Sequence, residues 1–247
     1  MQKLWFSIFD FSFNYRGVES SFINPDPFNW AAEIENNYSV IKDELSRFLE
    51  KNDLESYFNS DMVSQKNSWR TIALKTWSIE LYKNQAFFPR TTALIIKYPQ
   101  IVSASFNLLK SKARILPHCG DTNGIYRCHL GLDIPEGLPN CGFRVRDEKK
   151  AWENGKMLIF MDAYDHEAWN DSSKDRYIFL IDVLRDEFSA KKSTICSTVL
   201  TSLFLQKRVQ KLPFIKKYNA GLTKLITYTL RPFALFAAYF CNKFKIY

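Results

Sequence analysis

All three histidines of this chain, His118, His129 and His166, fall in one stretch built of short alternating or apolar segments. From Tyr126 to Ile134 the residues Tyr126, Cys128, Leu130 and Leu132 lie on one side of an extended chain, and Arg127, His129, Gly131 and Asp133 on the other. That is the period-two pattern of a half-buried strand, and a helix would scatter the same four apolar side chains around its circumference. Trp69 to Trp77, Ile101 to Leu109 and the run from Tyr177 to Val183 read as further strands. Pro135, Gly137, Pro139 and Gly142 mark a loop, and Asn154-Gly155 between Ala151-Trp152 and Met157–Phe160 is a two-residue hairpin signal. Short strands and tight turns predict a mainly β protein, a barrel or sandwich with helices outside.

The helices are legible where the period changes. Trp30, Ile34, Tyr38, Ile41, Leu45 and Leu49 recur at helical spacing from Asn29, while Glu33, Glu35, Lys42, Asp43 and Glu44 lie off that stripe. Thr91 to Lys97 predicts a short helix closed by Pro99. With 247 residues, 46% of them hydrophobic, the chain can bury one substantial core. Its five cysteines, at 119, 128, 141, 196 and 241, form no Cys-x-x-Cys pair, which excludes a zinc knuckle and argues against a disulfide framework. Reduced thiols suit a cytoplasmic setting. The first thirteen residues are rich in apolar side chains but broken by Asp10 and have no small-residue cleavage site, so they read as a strand or an interfacial segment.

Clustered imidazoles suggest a metal, because neutral histidine is the commonest ligand of borderline transition ions. Arg127 and His129 project together from their strand, and Arg176 opens the apolar run that follows His166. A guanidinium fork beside a histidine pocket suits a dicarboxylate. Asp121 and Asp165 are carboxylates by type, but at turn positions beside Gly120 and before His166 they read as local caps.

Five blocks carry a family likeness in order and spacing: Pro-His-Cys-Gly-Asp-Thr-Asn, Arg-Cys-His-Leu-Gly-Leu-Asp-Ile-Pro, Trp-Glu-Asn-Gly-Lys-Met-Leu-Ile-Phe-Met-Asp, His-Glu-Ala-Trp-Asn-Asp and Arg-Tyr-Ile-Phe-Leu-Ile-Asp-Val. Over residues 69–185 the chain resembles the aspartyl/asparaginyl beta-hydroxylases, oxygenases that use iron(II), 2-oxoglutarate and O2. The resemblance implies a double-stranded β-helix (jelly-roll, cupin-like) core, with His118 and His166 as metal ligands. It further implies that Arg176 pairs with the distal carboxylate of 2-oxoglutarate, and that Arg127, His129 and Asn107 line the same cosubstrate. Asn107 stands where the family has a serine, and Gly120 where most iron(II) oxygenases place a third, carboxylate ligand. Water then completes the metal's shell, with Asp162 as its outer partner.

Beyond Phe188 the composition changes. Of the 34 Lys and Arg, 11 lie in residues 189–247 with no Asp or Glu among them, so the first 188 residues carry −3 and the remainder +11. We therefore expect an oxygenase domain over 1–188 and a basic, apolar, helical extension over 189–247. The apolar run from Pro232 to Cys241 is shorter than the roughly 20 residues that span a bilayer. A basic apolar helix suits the inner face of an anionic membrane, packing on the barrel is the alternative, and the region is too apolar for a nucleic-acid tail. The leading expectation is a hydroxylase of peptidyl Asp or Asn residues. A lipid A acyl-chain hydroxylase at a membrane surface and a non-catalytic cupin-like module holding metal or dicarboxylate are the alternatives.

Overall fold

The computed structural model describes residues 3–10, 12, 14–211 and 220–247. Its strands are β1 (Phe22–Ile23), β2 (Glu55–Ser56), β3 (Trp69–Thr76), β4 (Ile79–Glu80), β5 (Ile101–Leu109), β6 (Ala113–His118), β7 (Ile125–Asp133), β8 (Cys141–Val145), β9 (Glu148–Lys150), β10 (Met157–Phe160), β11 (His166–Asn170) and β12 (Arg176–Leu184). The helices are α1 (Asn29–Asn36), α2 (Tyr38–Leu49), α3 (Tyr82–Gln85), α4 (Pro89–Lys97), α5 (Lys192–Lys211) and α6 (Ala220–Phe244).

The larger sheet runs β1-β10-β7-β12-β5-β3-β2, with β4 added to β3, and the smaller runs β6-β11-β8-β9; every pairing is antiparallel. Two antiparallel sheets with helices outside form a jelly roll. Phe22, Ile115, Phe143, Val145, Phe160 and Ile178 pack between the sheets. On the outer face of the larger sheet, Trp30, Ile34, Ile41 and Leu45 from α1 and α2 meet Leu130, Leu132 and Phe179. Alternation along β7 is what places Cys128, Leu130 and Leu132 in that outer core.

Three local expectations are corrected. The helix predicted from Asn29 to Leu49 breaks at Asn37, whose side-chain amide donates to the Glu33 carbonyl at 2.8 Å. Such bonding by Asn competes with the helical ladder. The Asn154-Gly155 turn forms, with Gly155 at φ +76°, but it closes no hairpin: Ala151-Trp152 lies in no strand, the preceding β9 pairs with β8, and β10 pairs with β7 and β1. Near the N-terminus Phe6 makes one bridge to Thr122 and Ser7–Phe9 is a 3-10 turn, in place of a strand; Met1, Gln2, Phe11 and Phe13 lie outside the described residues.

Glu44, off the apolar stripe of α2, is only 4% exposed. Helix α4 starts at Pro89 without a side-chain cap of its own, and Glu44 supplies one from a distance. Its carboxylate accepts from the Arg90 and Thr91 amides at 2.9 and 2.8 Å and from the Thr91 hydroxyl at 2.7 Å. Orphan amides and the positive end of the helix dipole are met together.

Residues 189–247, set apart by composition, contribute to the core. Ile195, Cys196 and Val199 of α5 are buried against Phe6, Val102, Ile125, Leu184 and Phe188. Burying Ile195 and Val199 alone contributes on the order of 3–6 kcal/mol relative to exposure. The end of α6 is also tied down: Asn242 accepts from the Glu80 amide at 2.9 Å and donates to the Ser78 carbonyl at 2.8 Å. Lys216 and Lys217 lie outside the described residues.

Replacing Glu44 with Ala strands two amide donors of α4, at a cost of about 2–3 kcal/mol. For a chain of this size that lowers Tm by about 5–10 °C in a thermal melt, and Glu44→Gln recovers part of it. A Glu44→Ala protein that melts with the parent would show that the remote cap is idle.

Candidate active site

Strands β6 and β11 are paired so that His166 stands opposite His118. The two rings lie 4.2 Å apart between centroids. Each Nδ1 meets a carbonyl two residues earlier, His118 to Leu116 at 2.7 Å and His166 to Tyr164 at 2.8 Å. A carbonyl only accepts, so each Nδ1 carries the proton and each Nε2 keeps its lone pair. Burial, reinforced at His118 by the neighbouring His166, pushes both rings down to about 3. They are neutral at physiological pH, as metal ligands must be.

Asp162 lies beside them, 1% exposed, with Oδ1 3.5 Å from His166 Nε2. Its Oδ1 accepts from Arg127 Nη1 at 2.6 Å, while its Oδ2 has no hydrogen-bond partner among the described residues. A Cβ placed on Gly120 would come within 1.7 Å of that Oδ2. The carboxylate thus fills the space that a side chain at position 120 would need. Arg127 also gives Nε and Nη2 to Asp182, at 2.7 and 3.1 Å. The geometry therefore makes Arg127 the clamp of two buried carboxylates, and three charged groups sum to −1 next to the imidazole pair.

A second, opposite imbalance lies deeper. Arg176 opens β12, between β5 and β7, and is 1% exposed. Its Nε and Nη1 have no hydrogen-bond partner among the described residues, and its guanidinium rests 4.4 Å over the Trp152 ring. Burial lowers it to about 10, so the cation persists at neutral pH. Trp152 Nε1 donates to His129 Nδ1 at 3.2 Å. Burial and the charge of Arg176 hold His129 well below its ordinary pKa, so its single proton sits on Nε2, which is itself without a partner. Asn107, on the neighbouring strand, is already engaged: it accepts from Trp69 Nε1 at 3.0 Å and donates to Ser105 Oγ at 2.8 Å.

These groups share a small cavity of about 40 Å³, lined by His118, His166, Arg127, His129, Asn107 and Arg176. All seven residues singled out in the sequence thus come together, Asp162 from the strand end just beyond. A larger cavity of about 1170 Å³ opens from His118 and Asn107. Trp69 and Leu180 line its barrel side; Leu203 and Leu205 of α5 and Ile226 of α6 line its outer side. The Ser202 hydroxyl donates to Asp121 at 2.9 Å, tying α5 to the loop that follows His118. Among the described residues no three His, Cys, Asp or Glu side chains are grouped to hold a metal.

Sequence reasoning misses Trp152 and Asp182 as site residues, and Asp121, which reads as a local cap, accepts instead from Ser202 of α5. Asp182 carries a signal, since a lone carboxylate in an apolar strand needs a buried cation. Trp152 reads as a hairpin flank, and only the three-dimensional structure brings it to His129 and Arg176.

The family profile described as aspartyl/asparaginyl beta-hydroxylase matches residues 35–186. Two relatives are the ornithine lipid ester-linked acyl 2-hydroxylase of Rhizobium tropici, 34% identical over 64% of this chain, and the human aspartyl/asparaginyl beta-hydroxylase, 31% identical over 64%. The matched parts make up 58% and 21% of those proteins, so the chain spans just over half of one and a fifth of the other. Among solved structures, HygX from Streptomyces hygroscopicus with nickel and 2-oxoglutarate bound is similar over 60% of this chain and 79% of its own (TM-score 0.43, 9% identity). A Pseudomonas putida prolyl-4-hydroxylase is similar over 62% and 87% (TM-score 0.41, 13% identity).

Gly120→Ala should push Asp162 off Arg127 and cost about 1–3 kcal/mol. Adding Asp162→Ala should recover only the part of that loss owed to the carboxylate, since the Asp162 carbonyl would still stand 2.7 Å from the new Cβ; denaturant melts of the four proteins in the cycle should give a coupling of about 1 kcal/mol. Purely additive losses would mean that the two positions do not compete for one space.

Proposed function

Because the chain belongs to the aspartyl/asparaginyl beta-hydroxylase family, we propose that it is an iron(II)- and 2-oxoglutarate-dependent hydroxylase. The observation that carries this reading is the buried guanidinium of Arg176, which lacks hydrogen-bond partners at Nε and Nη1 while sharing a cavity with the paired imidazoles. A buried cation of this kind calls for an anion, and two adjacent neutral imidazoles with unprotonated Nε2 atoms suit a metal.

The residues fit both groups. His118 and His166 would hold the iron, and the excess negative charge of Asp162, Asp182 and Arg127 suits a cation there. Asp162 Oδ2, still unpaired, can accept from a water that completes the metal's shell in place of a third protein ligand. Arg176 would pair with the distal carboxylate of 2-oxoglutarate, and His129 Nε2–H is a donor turned toward the same cavity. Trp152 orients both of these groups, stacking on one and fixing the tautomer of the other. When bound, iron and 2-oxoglutarate supply an oxidant drawn from O2 that hydroxylates an unactivated C–H bond. Phe143 and Phe160, packed 5.7 and 5.5 Å from the His166 ring, keep bulk water away.

Sequence identity to the lipid-named and peptide-named relatives is nearly equal, so it does not choose a substrate. The large cavity does favour one. Its outer wall is made by the basic, apolar helices, where Leu203, Leu205 and Ile226 alternate with Ser202, Gln206 and Thr223, and the apolar three suit an acyl chain drawn from a membrane lipid. A peptidyl Asp or Asn side chain is the second reading, favoured by the polar residues Thr71, Ser103 and Ser105 on the barrel side of the same cavity.

His118→Ala and His166→Ala should each abolish succinate formation from 2-oxoglutarate while leaving the far-UV spectrum unchanged; near-parent turnover in either would remove it as a ligand. Arg176→Gln should weaken 2-oxoglutarate by about 30-fold or more, from the loss of a desolvated charge pair. Trp152→Phe, which keeps the stack but not the bond to His129, should weaken it about 3- to 10-fold in a direct anaerobic titration. Unchanged affinity in the Arg176 variant would send the cosubstrate carboxylate elsewhere.

A further inference from the structure

Helix α6 meets the rest of the protein mainly along one side, with Tyr228 on Phe9 and Asn242 on Ser78 and Glu80 at its margin. Thr227 and Cys241 are buried and Thr223 faces the large cavity, all on one side of the helix at about 100° per residue. The other side is almost wholly apolar and uncovered: Phe233 is 71% exposed and Phe236 66%, and Leu225, Tyr239, Phe240 and Phe244 are exposed with them. Phe240 and Phe244 pack ring to ring at 4.4 Å, so the row is continuous toward the end of the helix.

The charges around this row have one sign. Lys243 lies over the Tyr239 and Phe244 rings at 5.6 and 5.7 Å, Lys224 is exposed on the same helix, Arg231 is turned to Ser197 of α5, and no acidic residue occurs anywhere in 189–247. Among the described residues no helix is long and apolar enough to cross a membrane. A 25-residue helix of this kind, roughly 37 Å long, is shaped to lie in the plane of an interface with aromatic rings in the headgroup layer and lysines against anionic lipid.

We infer that the outward face of α6 docks the protein on an anionic lipid surface. The inference deepens the acyl-chain reading and rests on it for its purpose: the side of α6 opposite the lipid would roof the cavity that leads to His118. A basic, aromatic face matches anionic headgroups above an apolar layer. A second copy of this chain would set the +11 tails against one another.

The test is co-sedimentation of the full chain with vesicles of phosphatidylglycerol and phosphatidylcholine, and with phosphatidylcholine alone. The protein should pellet with the anionic vesicles, be released only in part by 0.5 M salt (~4 Å Debye length), and bind the neutral ones at least 10-fold more weakly. Phe233→Glu with Phe236→Glu, both at exposed positions, should lower vesicle affinity about 100-fold or more without changing Tm. Lys224→Glu with Lys243→Glu should remove the preference for anionic lipid. Parent protein that stays in the supernatant, a Phe233/Phe236 variant that pellets as before, or equal binding to neutral vesicles would each overturn the proposal. So would light scattering that finds a dimer dissolved by the same variant. Succinate formation without vesicles should be equal in parent and variants, so failure of docking is read separately from failure of the hydroxylase assignment.

Discussion

A guanidinium sealed inside a barrel with two of its nitrogens unsatisfied is the constraint to which the remaining parts of this site answer. Arg176 sits where β12 is flanked by β5 on one side and β7 on the other, so its surroundings are set by strand register rather than by loops. Asn107 comes from one neighbour and His129 from the other, while Trp152 covers the cation from the segment before β10. An isolated cation in such a place costs several kcal/mol unless an anion joins it. Some 40 Å³ of cavity connects it to the paired imidazoles, where Asp162 and Asp182 outweigh Arg127. One end of the cavity is short of a negative charge and the other of a positive one. The metal and dicarboxylate of the proposed function would each answer one of these deficits.

Much of this could be read from the chain and some could not, for physical reasons. Strict alternation in β7 and the apolar runs of β5 and β12 are local properties, so those strands and the projection of Arg127 and His129 from one face are legible. Strand β6 is not, because Arg114, Leu116 and Pro117 are exposed and Ala113 and Ile115 alone face inward. That His166 stands opposite His118 is a matter of register between strands nearly 50 residues apart, which motif order can suggest but not measure. The Asn154-Gly155 turn shows the limit from the other side: the turn obeys its residues, whereas the pairing of the strands before and after it depends on which sheet is nearby.

Composition isolated the basic C-terminal region but not how its two helices divide their work. Helix α5 turns Ile195 and Val199 into the third core cluster, as packing on the barrel would require. Helix α6 keeps its end fixed through Asn242 and leaves its aromatic side uncovered. A mean over 59 residues blurs two helices with different duties, and only the burial of individual side chains separates them.

The bond from Ser202 to Asp121, together with the contact of α5 on Ile125, Leu184 and Phe188, also bears on how the protein is made. Translation delivers the chain from its N-terminus, so every imidazole and guanidinium of the site has left the ribosome before α5 exists. At that stage the barrel has its strands, yet the patch around Val102, Ile125 and Phe188 faces water and the loop after His118 lacks its anchor on Ser202. Nascent chains paused between β12 and α5 therefore expose an apolar surface of the kind that holding chaperones bind, and the loop after His118 gains its anchor only when α5 arrives.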